Sequence, residues 1–428
     1  MGRAKGLMAL SPLLVFLAVY LVSSFIARDF YKVPIAAAFL IASVYAFVIS
    51  KGGINETVGI FSRGAAHPNV LLMIWIFVLA GSFASTAKAI GSIDATVNVT
   101  LQIMPGRFIL VGLFVAACFI SMAIGTSVGT VVALVPISAG LAEGMGAPVA
   151  MVTAAIVGGA FFGDNLSFIS DTTIASTKSQ GCSMSDKFRT NIWIAAPAAV
   201  VVAVLYIFLG RGFEASALAG SVDYLLLLPY MAVIVLAVCG INVLAVLCIG
   251  VALNAVIGLA KGTFDWIGFL EAVGDGIGNM GELIIVTMLA GGMLEVIRHN
   301  GGIDFIINLL TRRINGRRGA EFSIAALVAL ANICTANNTI AIITTGSIAK
   351  DIASHFGVDA RKSASILDTF SCIIQGILPY GAQLLMASGL AGISALSIIG
   401  RLYYPLVLLA AAVLAIIIGF PRQRSLVR

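Results

Sequence analysis

The chain has 428 residues, of which 60% are hydrophobic and 10% charged, with a mean hydropathy of +1.08. A soluble surface needs far more charge, so a soluble globular domain is excluded. The net charge of +6 sits in short loops, where it sets membrane topology; it is not a nucleic-acid footprint.

Many apolar runs approach the length of about 20 residues that crosses a bilayer as helix. None alternates with the period of two that a β-barrel requires. The expectation is an all-α polytopic membrane protein whose main partner is the lipid bilayer.

In chain order, Leu7–Ile26 follows a basic N-terminus and is too long and too poorly ended for a signal peptide, so it reads as an uncleaved span. Val33–Ser50 and Asn69–Ala87 are the next two spans. In Lys88–Pro105, Ile90, Ile93, Val97, Leu101 and Met104 recur every three or four residues, which predicts an amphipathic helix on the membrane surface. Phe108–Ile124 and Val131–Leu141 flank the polar segment Gly125-Thr126-Ser127-Val128-Gly129-Thr130. Ala147–Phe162 then runs into Gly163-Asp164-Asn165-Leu166-Ser167-Phe168-Ile169-Ser170-Asp171-Thr172-Thr173, and Ile192–Leu209 follows.

The second half repeats this order. Its runs are Tyr224–Cys239, Ile241–Ala260 and Glu282–Ile297, then the amphipathic Ile303–Ile314. Phe322–Ile333 and Ile340–Ala349 flank Cys334-Thr335-Ala336-Asn337-Asn338-Thr339. Ser363–Leu378 is interrupted at Pro379-Tyr380-Gly381, and Tyr403–Phe420 closes the series. Shifted by 210 positions, the chain matches itself at Ser50-Lys51-Gly52, Asn69, Leu79-Ala80-Gly81, Gly91 to Asp94 and Gly106-Arg107. The inference is a duplication, residues 1–212 and 222–428.

Charge orients the halves. Arg298, Arg312, Arg313, Arg317 and Arg318 crowd one loop, Lys350, Arg361 and Lys362 the next, and Arg422, Arg424 and Arg428 the C-terminus. The positive-inside rule places all of them, with Lys178, Lys187 and Arg189, in the cytoplasm, and Asp265, Glu271 and Asp275 outside. The pair between the first two basic loops then enters and returns on one side, as a re-entrant hairpin. The expected plan is two inverted repeats, about ten spans and two re-entrant hairpins with amphipathic arm helices, as in secondary transporters. Both termini come out cytoplasmic, in a bacterial inner membrane.

Inverted repeats bring matching interruptions together at the bilayer midplane. The hairpin tips contribute Thr126, Ser127 and Thr130, and Thr335, Asn337, Asn338 and Thr339. The broken helices contribute Asp164, Asn165, Ser167, Asp171 and Thr172 from one half and Gln375 from the other, with Asp164 opposite Gln375 in the repeat. Carboxylate, hydroxyl, amide and freed carbonyl oxygens suit a hard cation such as Na⁺. Asp164 is the first choice of Na⁺ ligand, with Asn165 and Thr126 beside it and Ser167 near. Helical winding would bring Asp171 to the same side, as second ligand or proton carrier; it also reads as an N-cap. Asp368 reads as ligand or as hydrogen-bonded structure, and Glu282 and Glu295 as interfacial. A solvent loop with helix caps would carry many of the same residues.

Six cysteines without CxxC spacing read as small buried hydrophobes, and His67, His299 and His355 as loop residues. There is no HExxH-like pair, Ser–His arrangement or P-loop, so an enzyme is not expected, nor any cofactor beyond Na⁺ and H⁺ as transported ions.

Two motifs resemble a known family. The segment Gly125 to Thr130 is similar to the Gly-Thr-Ser-Trp-Gly-Thr of NhaC-type Na⁺/H⁺ antiporters, with Val128 in place of Trp. Gly163 to Thr173 is similar to that family's Gly-Asp-(Lys/Asn)-x-Ser-x-x-Ser-Asp-Thr-Thr. The tip Asn337-Asn338-Thr339 resembles the Ser-Asn-Thr tips of sodium–dicarboxylate carriers in the wider ion transporter superfamily. The resemblance implies Na⁺/H⁺ exchange at Asp164 and Asp171, an elevator motion and a homodimer. The lost Trp and the tip amides leave open a Na⁺- or H⁺-coupled carrier of a small organic acid or amino acid.

Overall fold

A computed structural model describes residues 3–27, 33–50, 53–168, 170–214, 223–311, 314 and 316–421. Ile169, the positions Lys51 and Gly52 of the repeat match, and the orienting charges Arg312, Arg313, Arg422, Arg424 and Arg428 lie outside them.

The described residues form 22 α-helices and no strand. In the first half these are α1 (Arg3–Ala27), α2 (Ile35–Ile49), α3 (Ile54–Ala65), α4 (Pro68–Ala89), α5 (Ser92–Ile103), α6 (Gly106–Ile124), α7 (Ser127–Leu134), α8 (Ser138–Met145), α9 (Val149–Leu166), α10 (Asp171–Gln180) and α11 (Met184–Leu209). The second half has α12 (Leu228–Val238), α13 (Val243–Lys261), α14 (Trp266–Asn279), α15 (Gly281–His299), α16 (Gly302–Thr311), α17 (Gly316–Thr335), α18 (Asn338–His355), α19 (Ala360–Ile377), α20 (Ala382–Ala391), α21 (Ala395–Ile399) and α22 (Tyr403–Ile418). Ten helical stretches among the described residues are long and apolar enough to cross a membrane. With no water in the hydrocarbon, helices satisfy every backbone group within the segment. The molecule is an integral membrane protein.

The element boundaries recur along the chain. Helices α5 and α6 begin at Ser92 and Gly106; α16 and α17 begin at Gly302 and Gly316, 210 residues later in each case. Helices α7, α9 and α10 begin at Ser127, Val149 and Asp171; α18, α19 and α20 begin 211 residues later, at Asn338, Ala360 and Ala382. The packing recurs with partners exchanged. Helix α4 lies on α14 and α13, while its counterpart α15 lies on α3 and α2.

Paired glycines make those crossings. A Cβ at Gly81 would stand 2.2 Å from the Gly276 carbonyl oxygen, and one at Gly64 would stand 2.4 Å from that of Gly291. Between apolar helices in lipid there is little hydrophobic gain, so close backbone approach and dispersion hold the pair. These helices form one layer of the molecule. Helices α6, α9, α11, α17, α19 and α22 form the other, with α7, α10, α18 and α20 packed into it.

The structure corrects several expectations. Five helices, α3, α10, α14, α20 and α21, are not anticipated as elements by the sequence, because they are short or two-faced and raise no long apolar signal. The acidic segment carrying Glu271 and Asp275 is one of them, α14. The amphipathic stretch from Lys88 is shorter than expected: Lys88 lies in the last turn of α4, and α5 runs only from Ser92. The apolar face of α5 meets protein, with Val97 and Leu101 against Gly140 and Gly144 of α8. Lys187 and Lys362, read as loop charges, are buried at 1% and 3% exposure. Each lies on a helix that begins several residues before its apolar run.

At the glycine crossings, Gly276→Ala puts a methyl group against backbone and is expected to cost about 1–3 kcal/mol, as overpacking does. Gly278→Ala, with nothing within 4 Å of its Cβ, is expected to leave stability unchanged. Thermal melting of the two variants in detergent compares them directly; equal melting would mean that the crossing is slack.

Candidate functional site

Helix α9 ends at Leu166 and α10 starts at Asp171, with Ser167 in extended conformation between them. A helix end inside protein must find partners for its last carbonyls. The Gly163 oxygen accepts from Ser167 N at 2.7 Å. The Asp164 oxygen accepts from Ser170 Oγ at 3.0 Å and Thr172 Oγ1 at 3.4 Å. The Asn165 oxygen accepts from Lys187 Nζ at 2.7 Å and Asn191 Nδ2 at 3.0 Å. Ser170 also caps α10, accepting from Thr173 N at 3.2 Å. The run of hydroxyls that reads in sequence as loop polarity thus satisfies a break in a buried helix.

The same break presents the Asp164 side chain to α7. Its carboxylate is 4% exposed and accepts from Ser127 N at 2.9 Å and Ser127 Oγ at 2.5 Å. Ser127 opens α7, where backbone N–H groups have no partner within the helix and the helix dipole favours an anion. No lysine or arginine among the described residues forms an ion pair with Asp164. Helix α9 comes this close because Gly163 lies on α6; a Cβ there would meet Ser121 Oγ at 2.1 Å.

Hydrogen bonds carry this group across to the second half. Gln383 Nε2 donates to Ser127 Oγ at 2.9 Å, and Gln375 Nε2 donates to Gln383 Oε1 and to the Ala336 oxygen, each at 3.1 Å. Ala336 turns the chain between α17 and α18 at φ +49°, as Gly125 does between α6 and α7 at φ +76°. For a residue with a Cβ that region costs about 1 kcal/mol or more, and here the surrounding bonds hold it. Tyr380 OH adds a bond of 2.9 Å to the Ile333 oxygen.

The structure thus brings Asp164, Ser127 and Gln375 into one connected set, with Ser167 and Thr172 at the break. Thr126 is the residue before α7 and Thr130 bonds back to its oxygen at 3.2 Å. Asn165 is buried; its Nδ2 donates to the Phe161 oxygen at 2.9 Å and its backbone carbonyl is taken by Lys187 and Asn191, while its Oδ1 has no hydrogen-bond partner among the described residues. Asn337 caps α18 through Ile340 N at 2.9 Å, Asn338 Oδ1 accepts from Thr339 N at 3.0 Å, and Thr335 Oγ1 bonds to the Asn337 oxygen at 3.1 Å. That tip is therefore engaged locally.

Asp171 departs from expectation. Helix α9 ends at Leu166 and a separate helix starts at Asp171, so continuous winding is not what relates Asp171 to Asp164. It stands exposed in the first turn of α10, and Ser170 is the cap. Asp368 belongs to a neighbouring set, where Lys187 and Asn191 donate to its Oδ2 at 2.8 and 2.9 Å. Lys187, Asn191 and Gln383 are the residues sequence reasoning missed. Lys187 and Asn191 are four apart just before an apolar run, a spacing that puts two polar groups on one buried helix face.

An open cavity of about 1340 Å³ is lined by Asp94, Glu143, Glu271, Asp275 and Glu282, with Lys88 as the basic residue. Its wall includes Leu385, two residues beyond Gln383 on α20. The cavity approaches the Asp164 set without containing it. Glu282, expected at an interface, is exposed here; Glu295 pairs with Arg298 at 3.3 Å.

The chain is similar to the malate-2H⁺/Na⁺-lactate antiporter of Bacillus subtilis strain 168, at 24% identity over 82% of this chain and 81% of that protein. It is similar also to the Na⁺/H⁺ antiporter NhaC of Alkalihalophilus pseudofirmus, at 24% identity over 86% of each. Among solved structures, the YdaH transporter of Alcanivorax borkumensis aligns at 14% identity and a TM-score of 0.41, covering 96% of this chain and 99% of that one. The model of the Na⁺/H⁺ antiporter family matches residues 5–211 and 217–421. It takes in both Gly125–Thr130 and Gly163–Thr173, and the chain belongs to that family: a secondary transporter of the membrane, not an enzyme.

Proposed function

We propose that this protein exchanges Na⁺ for H⁺ across the cytoplasmic membrane by alternating access, with Asp164 as the group that takes either ion. The carrying observation is the Asp164 carboxylate: buried, held by neutral donors of Ser127 and, among the described residues, without a basic partner. An uncompensated carboxylate in a low-dielectric interior is costly. A proton or a dehydrated Na⁺ relieves that cost, and the two exclude each other. Ser127 Oγ and the Asp164 carboxylate are the oxygen donors, and the acid-lined cavity is the route by which a cation approaches.

Residues 1–212 and 222–428 are read as inverted repeats, each with a re-entrant hairpin, α6–α7 and α17–α18. The recurring boundaries and exchanged packing partners support this. In that reading the layer with α9 and α19 moves as an elevator against the layer with α4 and α15, both termini are cytoplasmic, and the molecule works as a homodimer. A second reading, exchange of a small organic acid, is favoured by the malate and lactate named for the Bacillus subtilis relative.

Proteoliposomes with an internal pH dye test these readings. Na⁺ alone is expected to drive proton movement, and Asp164→Asn to abolish it in protein that still elutes as a folded species. Silence with Na⁺ alone, followed by flux when lactate or malate is added, would favour the organic-acid carrier. Ser127→Ala deletes one hydrogen bond to a charged group, worth about 1.5–3 kcal/mol. It is expected to raise the Na⁺ concentration for half-maximal exchange by roughly 10- to 100-fold. An unchanged Na⁺ dependence would remove Ser127 from the site.

A further inference from the structure

The Lys187 ammonium fills a cage built like a cation site. Its three hydrogens meet Asn165 O at 2.7 Å, Thr173 Oγ1 at 2.7 Å and Asp368 Oδ2 at 2.8 Å. Freed helix carbonyl, hydroxyl and carboxylate are the oxygen donors that hard cations take. An ammonium has three donors, and all three are used. Asn191 bridges the same carbonyl and the same carboxylate oxygen, and Ser365 Oγ donates to Asn191 Oδ1. This cage therefore holds a cationic group that is covalently part of the chain.

The buried acids differ in how they are balanced. Among the described residues they are Asp164, Glu321 and Asp368. Glu321 pairs with Lys362 at 2.9 Å and Arg317 at 3.4 Å. Asp368 pairs with Lys187 at 2.8 Å. Asp164 is left as one negative charge to be balanced from outside.

We propose that the Lys187 ammonium is a tethered cation that fixes the charge of the transport core, so that each loaded crossing carries one positive charge at Asp164 and the exchange is electroneutral. The proposal rests on the Na⁺/H⁺ reading above. It assigns Lys187 a positioning and charge-setting role: no transported ion sits at Asp368. A core without this lysine would hold two uncompensated carboxylates and call for a second cation.

The test is the reversal point of Na⁺-driven proton flux in proteoliposomes, with the membrane potential clamped by K⁺ and valinomycin. For the natural protein the Na⁺ gradient that stops proton movement is expected to equal the proton gradient at 0 and at −100 mV. A cycle moving one net charge would displace that balance by about 50-fold per 100 mV. Lys187→Met is expected to make the reversal point depend on voltage, or the Na⁺ dependence become cooperative. The double variant Lys187→Met with Asp368→Asn removes both charges; at whatever rate it runs, its reversal point is expected to ignore voltage. If Lys187→Met alone does not fold, the natural protein and the double variant decide the matter. A voltage-displaced reversal point in either of them would overturn the inference while leaving Na⁺/H⁺ exchange intact. No exchange from folded natural protein would overturn the functional reading along with it.

Discussion

A helix that breaks inside a protein core exposes carbonyls that must be paired, and α9 breaks among buried residues. Hydroxyls of Ser170 and Thr172 take the Asp164 carbonyl, and the side chains of Lys187 and Asn191 take that of Asn165. Much of the polar chemistry of the core can be traced to this requirement. The break orients the Asp164 carboxylate toward the first turn of α7, and it draws a lysine into the protein interior. Burying an ammonium costs several kcal/mol unless its partners are well placed; the break supplies two of the three and Asp368 the third.

The two carboxylates of the core illustrate how environment divides similar groups between different roles. Asp368 faces a fixed cation on α11. Asp164 faces a backbone N–H and a hydroxyl, with no ion-pair partner among the described residues. One has its counter-charge within the chain; the other has hydrogen-bond donors alone. The glutamine pair Gln375 and Gln383 ties the second group to the turn at Ala336. Changes at Asp164 are therefore felt in both halves of the chain through direct hydrogen bonds.

Much of the site was legible in sequence because membrane proteins make polarity conspicuous. Gly163 to Thr173 stands out from its apolar flanks, and so do the two segments that form the turns before α7 and α18. Asp164 could be singled out as a carboxylate at the end of an apolar run. Lys187 could not, because hydropathy reads a lysine just before an apolar run as a loop charge at the membrane surface. Only the early start of α11, at Met184, carries it inside. Gln383 lay beyond reach for a similar reason. Helix α20 is ten residues long and gives too weak a periodic signal to be distinguished from its flanks. Asp171 shows the opposite failure, since a seven-residue spacing means one face only if the helix is continuous.

The amino-acid sequence by itself determined the class of the molecule, many of its helical spans and the places where spans break. Those properties follow from local composition and from the cost of an unpaired backbone in lipid. The tertiary structure alone decided which charges are compensated. Asp164 meets Ser127 across 37 positions, and Lys187 meets Asp368 across 181. Partners so far apart in the chain leave no periodicity to read. Their pairing is set by where the packed helices place a short list of polar atoms, and by the electrostatic penalty for leaving any of them alone.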